Sequence, residues 1–148
     1  VQLINNYVHH NTGPGLWCDI NCKDVLYANN TIIGNTKAGV YHEISYNAVI
    51  RDNYVEGNGL GFTPWLWGGG IVISSSSNVE IYGNTLVNNG DGIGAVEPGC
   101  VLVACDTGED HQRVFVALLD DPRPVGSAVV HGLDLVAIVG REAHTEAG

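Results

Sequence analysis

Short apolar runs with period-two alternation recur along the first two thirds of the chain, always in the same order. Val1, Val25, Ala48 and Val79 begin one set, with Leu3, Tyr27, Ile50 and Ile81 two residues later. Val8, Ile32, Val55 and Leu86 mark a second set. A third opens with a glycine and an apolar residue, as Gly15-Leu16, Gly39-Val40, Gly70-Ile71 and Gly92-Ile93. Asn6, Asn30, Asn53 and Asn84 separate the first set from the second, and Asn11, Asn35, Asn58 and Asn89 close the second, with spacings of 24, 23 and 31 residues in both series. Alternation at period two is the pattern of short half-buried strands. Three such strands per repeat, divided by turns, predict a coil that winds round a central apolar core. Aligned residues of successive coils then stack at about 4.8 Å. A stacked Asn can bond to the Asn above and below it, satisfy turn backbone, and tolerate the left-handed conformation of a tight turn. Asn at eight matched positions with matched apolar flanks is not the scatter expected of loop residues.

The fullest copy, Gly70-Ile-Val-Ile to Asn78-Val-Glu-Ile-Tyr-Gly-Asn84-Thr-Leu to Asn89, resembles the right-handed parallel β-helix repeat of pectin-lyase-like proteins. The resemblance covers residues 1–96. It implies an all-β fold: a right-handed parallel β-helix of about four coils, cut from a longer solenoid. The absence of any Met leads us to expect such a fragment. It also implies an extracellular or cell-surface protein that acts on or binds a polysaccharide or oligosaccharide, as a glycoside hydrolase or lyase. The same architecture hosts non-catalytic modules, so a binding or structural repeat of an exported protein is the alternative expectation. The chain departs from the classical pectin enzymes: it lacks the Asn-Thr-Asp, Asp-Asp and Gly-His-Gly runs of inverting polygalacturonases and the Arg-x-Pro-x-x-Arg stretch of pectate lyases. Only Lys23, Lys37 and Arg51 are available in the coils as a lyase base or substrate clamp.

The longest repeat carries an insertion, Gly59-Leu-Gly-Phe-Thr-Pro-Trp-Leu-Trp-Gly-Gly, with Phe62, Trp65 and Trp67 close together. Extra residues in a solenoid become loops on one face, often the binding face. These aromatics either wall a cleft or fold back as a local core. After Val96 the character changes: residues 1–96 contain 14 Asn and residues 97–148 none. The apolar runs Val114–Leu119 and Leu133–Val139 remain between acidic, Pro and Gly residues. Closing coils, a cap, or a foreign or misread-frame tail would each fit; the abruptness favours the last.

Composition narrows the partners. A net charge of −10 with 6 Lys and Arg argues against a nucleic-acid partner, which needs clustered cations. No apolar run is long enough to span a membrane. Cys18, Cys22, Cys100 and Cys105 include no Cys-x-x-Cys pair. Cys18 and Cys22 permit a local disulfide in an exported protein, but the simpler reading, two small buried residues, is the one we expect.

The Gly-opened strands carry the candidate chemistry. Alternation points Leu16, Val40, Ile71 and Ile93 inward, with Cys18, His42, Ile73 and Ala95. It points Trp17, Tyr41 and Val72 outward, with Asp19, Glu43 and Ser74. Asp19 and Glu43 should then sit on neighbouring rungs, suited to acid–base work on a glycosidic bond or to holding calcium. Trp17 and Tyr41 should stack beside them as sugar platforms, joined by Phe62, Trp65 and Trp67. His42 is expected inward but near enough to a strand end to assist the carboxylates. His9-His10 reads as a solvated turn and Arg51-Asp52 as a local ion pair. No serine-hydrolase elbow, zinc-protease motif, phosphate loop or EF-hand loop occurs.

Overall fold

The computed structural model describes residues 1–62 and 67–96 and, beyond them, the backbone of three strands. The first coil runs through β1 (Gln2–Ile4), β2 (Tyr7–His9) and β3 (Leu16–Asp19), and the second through β4 (Lys23–Ala28), β5 (Thr31–Ile33) and β6 (Val40–Glu43). The third comprises β7 (Tyr46–Arg51), β8 (Tyr54–Glu56) and β9 (Gly69–Ser74), and the fourth β10 (Ser77–Tyr82), β11 (Thr85–Val87) and β12 (Asp91–Val96). Beyond these lie β13 (Val101–Cys105), β14 (Val114–Leu118) and β15 (Val136–Val139). Corresponding strands of successive coils pair in parallel, giving three sheets with orders β1-β4-β7-β10-β13-β14, β11-β8-β5-β2 and β15-β12-β9-β6-β3. This is the right-handed parallel β-helix expected from the repeat. Among the described residues no helix is long and apolar enough to cross a membrane.

The register is the one the Asn spacing predicts. Leu26, Val49 and Glu80 pair in turn, as do Ile32 with Val55 and Val40 with Ile71. The inward residues form columns down the axis: Val25, Ala48 and Val79; Tyr27, Ile50 and Ile81; Val40, Ile71 and Ile93. Each is 5 % exposed or less, so the core is continuous from coil to coil.

Two Asn ladders hold the turns. Asn30 Oδ1 accepts from both the backbone N–H (3.0 Å) and Nδ2 (2.8 Å) of Asn6. Asn53 does the same for Asn30, and Asn84 for Asn53. The second ladder repeats the scheme from Asn11 through Asn35 and Asn58 to Asn89. The Nδ2 groups also donate to strand carbonyls: Asn58 to Ile32 and Asn89 to Val55, both at 3.0 Å. The left-handed conformation falls one residue earlier than expected. Asn5, Asn29, Asp52 and Gly83 have positive φ, as do His10, Gly34, Gly57 and Asn88, while the ladder Asn do not. The side chain that bonds and the backbone that turns are thus neighbours, each filled by the residue type suited to it. A third, exposed ladder links Asp24, Asn47 and Asn78.

The Gly-opened strands need their glycines for space. A Cβ on Gly39 would lie 2.5 Å from Val55 Cγ1 and 2.6 Å from the Gly70 carbonyl. The insertion leaves and rejoins the coil at one point: a Cβ on Gly59 would strike the Gly68 backbone, and Gly59 has a φ of 68°. Because its ends meet, the loop adds residues without disturbing the rungs on either side.

Beyond Val96 the backbone continues the sheets in part. β13 is parallel to β10 and β15 to β12, while β14 is antiparallel to β13.

Asn58 is fully buried and uses both its oxygen and its amide nitrogen. We expect Asn58→Leu to cost about 3 kcal/mol or more, since it strands buried donors and acceptors. Asn47→Gly, which keeps the positive φ and loses only exposed bonds, should cost less than about 1 kcal/mol. Urea midpoints of the two variants check the contrast.

Candidate functional site

β3 and β6 pair residue for residue, Leu16 with Val40, Trp17 with Tyr41, Cys18 with His42 and Asp19 with Glu43. The outward members therefore form two adjacent columns, one aromatic and one acidic. The Trp17 and Tyr41 rings lie 6.0 Å apart with 9° between their planes, and Trp17 remains 55 % exposed. Trp17 Nε1 donates to Glu43 Oε2 at 3.3 Å. The Tyr41 phenol lies beside Glu43 and Ser74. Burial, with the neighbouring Glu43 and Asp19 carboxylates, pushes it well above its ordinary range, so it stays protonated. Glu43 is thus held by the Trp17 indole, while the Asp19 side chain is exposed.

The insertion contributes to the same face. The Trp67 ring meets Tyr41 edge-on at 5.7 Å. Phe62 lies under Lys37, whose Nζ is 5.2 Å from the ring centre. Trp65 lies outside the described residues. One rung further on, β9 is buried at every position, including Val72 and Ser74, which alternation alone would leave open. The rung is covered on its outer side as well as its inner one. The open part of the face is therefore over β3 and β6.

His42 is not part of this group. It is inward and fully buried, in the column of Cys18, Ile73 and Ala95. Its Nδ1 lies 3.0 Å from the Tyr27 hydroxyl, across the core from the opposite sheet, and the two rings meet at 88°. Among the described residues its Nε2 has no hydrogen-bond partner. The expectation that His42 assists the carboxylates is corrected: alternation puts it on the other side of its strand, walled off by the core. Sequence spacing did not reveal the Tyr27–His42 pair, because the two residues belong to different columns and meet only across the coil.

The Cys18–Cys22 disulfide was the less favoured sequence reading, and the structure forms it. Cys22 occupies the column of Ser45 and Ser76: its N–H donates to Ser45 Oγ, and the Ser45 N–H to Ser76 Oγ. The two serines close their turns by donating to the Glu43 and Ser74 carbonyls. The first coil has one more residue in this turn, and Ile20 and Asn21 both take positive φ there. A β-branched residue pays steric strain in that conformation. The covalent bond closes the longer turn, with Asp19 inside it.

Among the described residues no three His, Cys, Asp or Glu side chains are grouped to hold a metal. Asp19 and Glu43 alone offer a calcium ion two carboxylates, fewer than the six to eight oxygens it takes, so solvent or substrate would have to supply the rest. His9 and His10 approach each other at 3.0 Å between their Nδ1 atoms on an exposed turn, and Arg51 pairs with Asp52 at 2.6 Å on another sheet.

Burial pushes His42 from an ordinary 6.5 down to about 4. The unfolded chain binds a proton between these values and the folded chain does not, so stability is complete above about pH 6.5 and falls as pH drops toward 4. The expected loss is on the order of 3 kcal/mol. Urea midpoints across this window should show it, and His42→Gln should flatten it. Reducing the Cys18–Cys22 bond should cost about 2 kcal/mol, as expected for so short a loop. Hydrogen exchange should then rise at residues 18–23 and stay unchanged along the Asn ladders.

No curated protein and no solved structure matches the chain. The family described as "Right handed beta helix region" matches residues 1–107. With parallel strands stacked in three sheets over the same residues, the chain belongs to the right-handed β-helix family.

Proposed function

We propose that the face over β3 and β6 binds polysaccharide, as a module of an exported carbohydrate-active protein. The observation that carries this reading is the exposed Trp17 stacked on Tyr41 with Glu43 fixed beside both. A sugar ring has an apolar C–H face and a rim of hydroxyls. The indole suits the first, and carboxylates within reach of the indole suit the second. Trp67 extends the aromatic column, and the Cys18–Cys22 disulfide favours an oxidising, extracellular setting.

The adjacent carboxylates favour a second, catalytic reading. Paired strands bring Asp19 and Glu43 to about 4.8 Å at the backbone, and glycosidases work with two carboxylates flanking the scissile bond. On this reading Glu43, held by the Trp17 indole, is the fixed nucleophile or base, and the exposed Asp19 is its acid partner. The products identify the chemistry: hydrolysis releases saturated reducing ends, whereas elimination, which needs a uronate, leaves an ultraviolet-absorbing double bond.

Binding to a panel of soluble polysaccharides, measured by affinity electrophoresis, tests the platform. At least one should retard the protein, and Trp17→Ala should weaken that binding about tenfold or more. Retardation by none, or equal retardation of the variant, would sink the proposal.

A further inference from the structure

The charge around the aromatic column restricts which sugars it can take; this inference rests on the platform reading above. Asp19 and Glu43 are side by side in register. Among the described residues the only ion pair is Arg51–Asp52, at the end of a strand in a different sheet. Lys37 sits over the Phe62 ring, and Lys23 opens β4, paired with Tyr46 on that same other sheet. Among the described residues neither carboxylate is paired with a cation.

Ionised carboxylates only accept hydrogen bonds. One acceptor position of Glu43 is filled by Trp17. With no cation bound, whatever completes the remaining positions of Glu43, and those of Asp19, must donate. An uncharged sugar laid on the indole presents hydroxyl donors along its rim. A uronate presents a carboxylate, which is also only an acceptor at neutral pH and carries the same charge. Two like charges a few ångströms away each weaken its binding roughly fivefold even in water-like surroundings.

We infer that this face selects glycans built of uncharged sugars and rejects polyuronates, the Asp19–Glu43 pair acting as the charge filter beside the aromatic platform.

The test compares neutral glucan, mannan and xylan oligosaccharides with galacturonan oligosaccharides of equal length, by titration calorimetry at low and high salt. At least one neutral oligosaccharide should bind about tenfold or more tightly than galacturonan at low salt. High salt should narrow the gap by improving galacturonan binding. Asp19→Asn/Glu43→Gln, which keeps side-chain size, should close most of it in the same way. Galacturonan binding as tightly as every neutral oligosaccharide, or a gap unchanged in the double variant, would overturn the inference while leaving the platform intact. Binding to no oligosaccharide, neutral or acidic, would overturn the platform reading and the inference together. An unchanged thermal midpoint in the double variant separates a charge effect from a folding defect.

Discussion

The turn, not the strand, is where a parallel coil is hardest to build. Strands hydrogen-bond to the coils above and below, but each coil must change direction three times, and turn amides at the edge of an apolar core need partners. Here one side chain repeated down the axis solves this at two of the three turns. From the second coil on, each ladder Asn accepts from the backbone and the side chain of its counterpart one coil back, and Asn30, Asn53, Asn58, Asn84 and Asn89 also donate to a strand carbonyl. Ser45 and Ser76 do related work at the third turn. Because the turns are satisfied from inside, the outer surface is free to vary. An aromatic insertion can leave and rejoin at Gly59 and Gly68 with the ladder unbroken on both sides.

The same register has a consequence for the outer face. It places like beside like wherever consecutive coils carry similar residues. For Trp17 and Tyr41 this is favourable, since parallel aromatic rings gain from contact. For Asp19 and Glu43 it is not, since like charges directly opposite on paired strands repel. Donation from Trp17 offsets part of that cost at Glu43, but among the described residues Asp19 has no corresponding donor. A pair that lowers stability where asparagine or threonine would serve the fold is better explained by what it meets than by what it holds.

How much was legible in the sequence follows from what period-two alternation encodes. It gives side and register, so the pairing of Trp17 with Tyr41 and of Asp19 with Glu43 was readable before any coordinates. It says nothing about what crosses the core or what covers the outside. Tyr27 and His42 sit in different columns, and only the width of the coil brings their polar atoms together. Val72 and Ser74 point the way alternation says and are buried all the same. The left-handed residues were legible in type but misplaced by one, because Asn suits both the bonding position and the turning position. Trp65, also assigned to the aromatic platform, falls outside the described residues.

The first coil shows how a local change in length can be absorbed. With Cys22 in the serine column, a hydroxyl there would have to reach its carbonyl round a turn one residue longer than those of Ser45 and Ser76. A bond to Cys18 removes that requirement, since it needs only the neighbouring inward position of the same strand. It also constrains Ile20 and Asn21 in a conformation that a β-branched residue does not favour. The strained residues immediately follow the exposed carboxylate. The cross-link therefore acts on the segment that sets where Asp19 stands relative to Trp17 and Glu43, while the ladders at the other two turns are untouched.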